Sequence, residues 1–186
     1  MGLFDKFKKI QNNDSAENSK MIAEIFRIIC KGKESVDAEI AECTNSTKDY
    51  AEKNKVQFSE RGISSDDADA DTLMWIGCVD ILINNSYAAE LDFSCEVEDL
   101  IFSIGKLESF SAENITLDVK DFSYDDDITV WLDELDKKLT ERGLCIGGID
   151  IDSDSYVVFL TDINTLGKLK DSACSIGRRI DYAKNL

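Results

Sequence analysis

Residues 144–161 read LCIGGIDIDSDSYVVFLT, and their pattern decides the class of fold. Two runs rich in β-branched and apolar residues, Leu144 to Asp152 and Tyr156 to Thr161, flank the polar segment Ser153-Asp154-Ser155. Such a pattern predicts a β-hairpin with a short turn. The second run is apolar on both faces, which is typical of a strand at the centre of a sheet. We therefore expect a sheet that includes a C-terminal hairpin.

Outside the hairpin, apolar residues recur three or four positions apart, which predicts amphipathic helices. These helices are expected over residues 15–31, 35–53, 71–84, 95–108 and 125–143, with a closing helix from about residue 163 to Ile180. Two segments alternate like half-buried strands, Tyr87–Phe93 and Ile115–Lys120. Helices packed on one small sheet define an α+β fold of a single domain.

Polar residues are expected to cap these helices. The loop Gln57–Asp71 ends in acids that would cap the next helix, and Ser94 would cap the helix that starts at Cys95. Asp125-Asp126-Asp127 puts negative charge at a helix start, where the macrodipole favours it. Asp162 or Asn164 is expected to cap the closing helix.

The N-terminus is predicted to be an amphipathic or flexible tail over residues 1–13, ahead of a domain over residues 14–186. Residues 2–10 place apolar side chains on one helical face and two lysines on the other. A peripheral membrane contact and a docked or frayed terminus both remain open. No segment approaches the roughly 20 apolar residues that span a bilayer, and the N-terminal pattern lacks a signal peptide's apolar core. We expect a cytoplasmic protein.

Composition excludes several classes of function. The chain of 186 residues has 38 acidic and 21 basic residues, a net charge of −17 and no histidine. Without an imidazole it has no Ser-His or Cys-His nucleophile pair and no histidine metal ligand. The charge repels nucleic acid and attracts basic partners. We expect no nucleic-acid binding and no cofactor.

The cysteines are widely scattered along the chain and form no CxxC pair. Most of them lie in apolar stretches, as buried thiols do in a reducing cytoplasm, although disulfides stay open if the protein is secreted. The six positions are Cys30, Cys43, Cys78, Cys95, Cys145 and Cys174.

Asp150, Asp152 and Asp154 alternate as in the opening of a calcium-binding loop. The rest of that pattern fails, because Ser155 stands at the glycine position and Thr161 at the glutamate position. The favoured interpretation is a hairpin whose Asp and Ser side chains bind the turn amides, with a metal site at the three aspartates as the alternative.

Pairs of acids two residues apart on a strand share a face and could act as general acid and base. Glu90 with Asp92 and Asp150 with Asp152 have this spacing. Such pairs arise freely among so many acids, so a solvated strand face is favoured over a catalytic one. Arg178-Arg179 could bind an acidic group of the same protein or a ligand, and local salt bridges are the favoured interpretation.

The leading hypothesis is a non-enzymatic interaction module whose acidic surface binds a basic protein, for example an immunity-type inhibitor of a nuclease toxin. The alternative is a divalent-cation binder or carboxylate-based enzyme centred on Asp150–Asp154. The first hypothesis requires the fold to gather separate acidic runs on one face. The candidate partner-binding residues are Glu90, Asp92, Asp125, Asp126, Asp127, Asp152 and Asp154.

Two stretches resemble a family of small acidic bacterial proteins that is known only as a domain of unknown function. One is Trp75–Phe93, a Trp-bearing helix followed by YAAELDF, and the other is Ile149–Tyr156, IDIDSDSY. The resemblance covers less than half of the chain. It implies a bacterial cytoplasmic origin and an α+β fold, and it implies no activity.

Overall fold

A computed structural model describes the backbone from Leu3 to Leu186 and the side chains from Ala16 onward. The predicted amphipathic face of residues 2–10 lies outside the residues whose side chains are described, and the tail over residues 1–13 stays a prediction. The chain divides into two compact units, Met1–Ile81 and Leu82–Leu186. Each unit is built around its own buried apolar residues.

Unit 1 is helical over its described residues. Its elements are α1 (Leu3–Ile29), α2 (Glu34–Asn45), α3 (Thr47–Lys53), α4 (Lys55–Glu60) and most of α5 (Ala70–Asn84). As expected for the acids before α5, Asp69 caps this helix, because its Oδ1 accepts a hydrogen bond of 2.9 Å from the Thr72 backbone N–H. α5 is buried all round from Leu73 to Leu82, which confirms its predicted central position.

Two predictions in unit 1 were wrong in part. The helix expected over residues 35–53 is interrupted at Ser46 and forms α2 and α3. The expected loop from Gln57 begins inside α4, whose Phe58 side chain is buried. So short a helix is hard to predict from the sequence, because Phe58 is its single buried residue and one residue gives no periodic pattern.

Trp75 and Asp80, both on α5, are buried within unit 1. The Trp75 and Phe26 rings form a T-shaped pair with centroids 5.1 Å apart, a favourable aromatic arrangement. Asp80 Oδ1 accepts hydrogen bonds of 2.9 and 2.6 Å from Nε and Nη2 of Arg61. A buried charge is tolerated when it is paired in this way.

Unit 2 contains a four-stranded antiparallel sheet and four helices among its described residues. Its elements in chain order are β1 (Ala89–Asp92), α6 (Val97–Gly105), α7 (Glu108–Ala112), α8 (Ile128–Thr140), β2 (Leu144–Ile149), β3 (Ser155–Asp162), α9 (Ile163–Ser175) and β4 (Ile180–Tyr182). The strand order is β1-β3-β2-β4. The predicted hairpin is confirmed as β2 and β3, and β3 is central as expected.

Two glycines in β2 create room for the residues that cover them. A Cβ on Gly147 would lie 2.4 Å from the Phe159 ring, and one on Gly148 would lie 2.8 Å from the Ala183 backbone. Gly147 and Phe159 face each other across the β2–β3 ladder. The Gly-Gly pair therefore serves close packing within the sheet.

Three predictions in the middle of unit 2 were wrong in whole or in part. Ile115–Lys120 alternates between half-buried and exposed residues but pairs with no described strand, and it leads into a 3₁₀ turn at Val119–Asp121. Ser94 does not cap a helix, because its hydroxyl and its backbone N–H both donate to the Asp92 carboxylate. Glu96 precedes α6 instead, and the expected helix to residue 108 is divided into α6 and α7.

The closing helix is confirmed, with a different end. Asp162 caps α9 by accepting a hydrogen bond from the Thr165 backbone N–H. The helix was predicted to run to Ile180, but Gly177 adopts φ +71° and Arg178 N–H bonds back to Ala173 O, which ends the helix. Ile180 instead belongs to β4, which pairs with β2.

The apolar residues of α6, α8 and the sheet form the core of unit 2, with Trp131, Leu132, Val97, Leu100 and Val158 among its buried members. Helices thus pack on a small sheet that has a C-terminal hairpin and a closing helix. The predicted α+β class is confirmed.

Candidate acidic binding site

The end of β1 lies beside the hairpin turn because of the strand register. Asp92 pairs with Ser155, and the residues just beyond this pair, Phe93 and Asp154, line one cavity of about 440 Å³. Tyr156 and the two serines of the turn line the same cavity. Residues more than sixty positions apart in the sequence therefore share one site.

The turn itself is held by its own polar side chains. Asp150 Oδ1 accepts a hydrogen bond of 2.9 Å from the Asp152 backbone N–H, and Ser153 Oγ accepts one of 3.2 Å from Ser155 N–H. Asp152 adopts φ +56°, a conformation that Asp tolerates better than most residues. The predicted hairpin, whose Asp and Ser side chains bind turn amides, is confirmed.

Arg178 and Arg179 lie against the same turn, as expected from local salt bridges. Arg179 Nη1 is 3.8 Å from Asp150 Oδ2, and Arg178 Nη1 is 4.0 Å from Asp152 Oδ2. Both aspartates therefore have a guanidinium partner within the chain. Asp154 differs: it is exposed and has no ion pair with any lysine or arginine from Ala16 onward.

Further carboxylates lie close to the end of β1. Burial raises the pKa of the Cys95 thiol, and three neighbouring charges raise it further, those of Asp99, Asp92 and Glu96. All three carboxylates are exposed, and the part of the chain with described side chains gives none of them an ion pair. We call Asp92, Glu96, Asp99 and Asp154 the acidic end of unit 2.

The predicted run Asp125–Asp127 follows Tyr124, which contacts α6. The Tyr124 hydroxyl hydrogen-bonds to the Glu98 carboxylate, which raises the pKa of Tyr124 and places the start of this run beside the first turn of α6. Asp127 has a structural role. Its Oδ1 accepts hydrogen bonds from the Thr129 and Val130 backbone N–H groups and thereby caps α8. These hydrogen bonds, and one from the Thr129 hydroxyl, lower its pKa.

The other candidate residues have different surroundings. Glu90 stands opposite Val157 in the β1–β3 ladder, two residues before Asp92. The acidic run that contains Asp66 and Asp67 belongs to unit 1. Among the described side chains no group of three or more Asp, Glu, Cys or His residues has an arrangement that could hold a metal ion. The alternative metal site at Asp150, Asp152 and Asp154 therefore gains no support.

Glu96, Asp99 and Phe93 belong to this site but were not among the predicted binding residues, and the surroundings of Phe93 differ most from the prediction. Its side chain is 60% exposed although it is a large aromatic, whereas the alternating pattern of residues 87–93 placed it in a half-buried strand. β1 ends at Asp92, and the Asp92–Ser94 hydrogen bonds turn the chain there. The Asp-Phe-Ser order, with a turn-forming Asp, is the signal that could have revealed this.

Two general expectations concern the whole chain. All six cysteines are free, and four of them are buried, which fits small buried thiols. In the described part of the chain, none of the helices combines the length and the apolar character that crossing a bilayer requires.

These features define the class of protein. It is an acidic α+β protein in which the unit that contains the sheet has a carboxylate-rich end. A model of a domain of unknown function, DUF6630, matches residues 21–183, and the chain belongs to this family. The match confirms the resemblance to a domain of unknown function and extends it over most of the chain. Neither the curated proteins nor the solved structures contain a significant match to this chain.

Proposed function

We propose that this protein is a non-enzymatic interaction module of a bacterial cytoplasm, and that the acidic end of unit 2 binds a basic protein. One concrete form is an immunity-type inhibitor, whose carboxylates would occupy the basic substrate site of a nuclease. Nucleic-acid and anionic membrane partners are disfavoured by the net charge of −17.

A single observation carries this proposal: Asp92, Glu96 and Asp99 surround Cys95 at the end of β1, Asp154 lies on the hairpin turn beside that end, and the described side chains give none of these acids a basic partner. Elsewhere in unit 2, acids are paired locally, as Asp181 is with Lys170 at 2.6 Å and Glu113 with Arg142 at 3.2 Å. Several other acids of unit 2 thus have a local counter-charge, whereas the acids of this end have none among the described side chains.

Gathered like charges favour association with a cation-rich surface. They steer a basic partner toward the site and repel each other until it binds, so association lowers the electrostatic free energy of the module. Because exposed charges are screened over about 8 Å at physiological ionic strength, such binding weakens as salt is raised.

Affinity purification tests the proposal. The tagged full-length protein is used as bait in lysate of its own host at low salt, and the eluate is analysed by mass spectrometry as salt is raised. We expect one stoichiometric basic protein that is released within a few hundred millimolar salt. Recovery of no basic protein at any salt concentration would contradict the proposal.

A further inference from the structure

The cavity beside the hairpin turn combines aromatic and carboxylate groups. Phe93 and Tyr156 contribute rings, and Asp150 and Asp154 contribute carboxylates. Its volume of about 440 Å³ falls in the range of about 300–1,000 Å³ that is typical of small-molecule sites, so it has room for one long side chain. A ligand that fits needs a flat apolar surface and a positive charge.

The charge balance of the cavity favours a single cation. The Asp150 carboxylate has the Arg179 guanidinium at 3.8 Å and also accepts the Asp152 N–H bond, so its charge is largely compensated. Asp154 is exposed and has no such partner among the described side chains. About one negative charge is left for an incoming group.

Arginine satisfies both requirements better than lysine. The planar guanidinium can stack on an aromatic ring and can bind a carboxylate through two N–H groups, whereas an ammonium is a strongly hydrated point charge. The Phe93 ring is 60% exposed and therefore available for stacking. The Asp150–Arg179 pair shows that a guanidinium fits against this turn.

We infer that this cavity holds one arginine side chain of the basic partner, with the guanidinium on Asp154 and against Phe93. This inference depends on the proposed function for the source of the arginine. It adds the position of the main contact and the residue type that is recognised there.

The test titrates small probe compounds into the isotope-labelled full-length protein and monitors the NMR chemical shifts of its backbone amides. The probe is Nα-acetyl-arginine amide, its uncharged match is Nα-acetyl-citrulline amide, and Nα-acetyl-lysine amide serves as the second cation. We expect the arginine probe to shift the amides of Phe93 and residues 153–156. The citrulline probe should bind about tenfold more weakly, since it lacks the ion pair and the cation–π contact.

Two variants and two matched controls locate the contact. Asp154→Asn removes the ion pair and should weaken arginine binding severalfold, toward the citrulline level, and Phe93→Ala should weaken it severalfold as well. Asp171→Asn removes an exposed carboxylate on α9, and Phe102→Ala removes a ring that is 64% exposed on α6. Both controls should bind the arginine probe as the wild type does.

Three outcomes would overturn the inference: no shift at the cavity amides, equal binding of the arginine and citrulline probes, or a lysine probe that binds as tightly as arginine. An Asp154→Asn variant that behaves like Asp171→Asn would overturn it as well. If the chain still captures a basic protein in that case, only the cavity assignment fails. Failure to capture any partner contradicts the proposed function itself.

Discussion

At the scale of single residues, Asp136 connects α8 to the sheet. It is only 3% exposed, its Oδ1 accepts a hydrogen bond of 2.7 Å from the Ile146 backbone N–H, and its Oδ2 is 3.4 Å from Lys184 Nζ. Burial raises the pKa of this carboxyl, and the bonds to Ile146 and Lys184 oppose that rise. The sheet therefore depends on an oxygen acceptor at this position.

Asp136→Ala should lower the free energy of unfolding by about 1–3 kcal/mol, because the buried Ile146 N–H loses its acceptor. Asp136→Asn keeps an acceptor oxygen and should cost clearly less. Urea unfolding monitored by tryptophan fluorescence measures both variants. Equal losses for the two would show that the charge of Asp136, rather than its hydrogen bond to β2, supports the fold.

Asp127 allows a test of pH dependence at the residue scale. Asp127→Ala removes the cap of α8 and should lower the melting temperature by a few degrees at neutral pH. Because its pKa is lowered in the folded state, the stability that it contributes is present above the unfolded pKa of about 3.9 and is lost as pH falls through the folded pKa. The gap between wild type and Asp127→Ala should therefore close as pH is lowered below about 4.

Asp126→Ala is the matched control for this experiment, because the side chain of Asp126 makes no cap bond to α8 while its charge is the same. Melting curves between pH 7 and pH 3 compare the three proteins. If Asp126→Ala lowered the melting temperature as much as Asp127→Ala, the effect would come from the charge of the run and the capping account would be wrong.

At the scale of elements, the β2–β3 hairpin depends on glycine. Gly147→Ala should lower the free energy of unfolding by about 1–3 kcal/mol, because the new methyl group would meet the Phe159 ring at 2.4 Å. Gly167→Ala is the opposite case, since Gly167 is exposed on α9 with nothing within 4 Å of a Cβ, and it should stabilise by about 0.5–1 kcal/mol. Denaturant unfolding of both variants measures this contrast, and a neutral Gly147→Ala would contradict the packing account.

The elements also show what the sequence could predict. The hairpin and α9 were predictable because turn residues and caps act locally, within a few positions. β4 has three residues and forms by pairing with β2, so it is too short to give a periodic pattern in the sequence. Gly177 was a local signal that α9 ends before Ile180. In Ile115–Lys120 every second side chain is half-buried, as in a strand. A strand also needs a neighbouring strand to pair with, and an alternating pattern does not show whether one is present.

The candidate site was predictable only in its parts. The sequence contains the acids, but their gathering depends on the β1–β3 register, which joins Asp92 to Ser155 across more than sixty residues. Phe93 could not be assigned to a binding site until that register placed it beside Asp154. Long-range pairing, and not residue type, turns scattered acids into a site.

At the scale of the whole molecule, a net charge of −17 means that the lysines and arginines are too few to neutralise every acid. Local pairs such as Lys184 with Asp133, at 2.6 Å, compensate part of the acid, and they hold the pKa of Asp133 down at about 2 together with Lys137. The acidic end lacks such pairs among the described residues. A basic partner would supply the missing counter-charges.

Two variants with equal charge separate this specific site from total charge. The site variant neutralises the acidic end through Asp92→Asn, Glu96→Gln, Asp99→Asn and Asp154→Asn. The control variant neutralises four exposed acids elsewhere, through Glu60→Gln, Asp67→Asn, Glu141→Gln and Asp171→Asn. Both variants lose the same number of negative charges.

The most direct test measures how much basic partner each of the three full-length proteins retains from host lysate at low salt. We predict that the wild type and the control variant retain one basic protein in similar amounts, and that the site variant loses most of it. Equal retention by the site variant, or equal loss by both variants, would contradict the claim that the acidic end of unit 2 binds the partner.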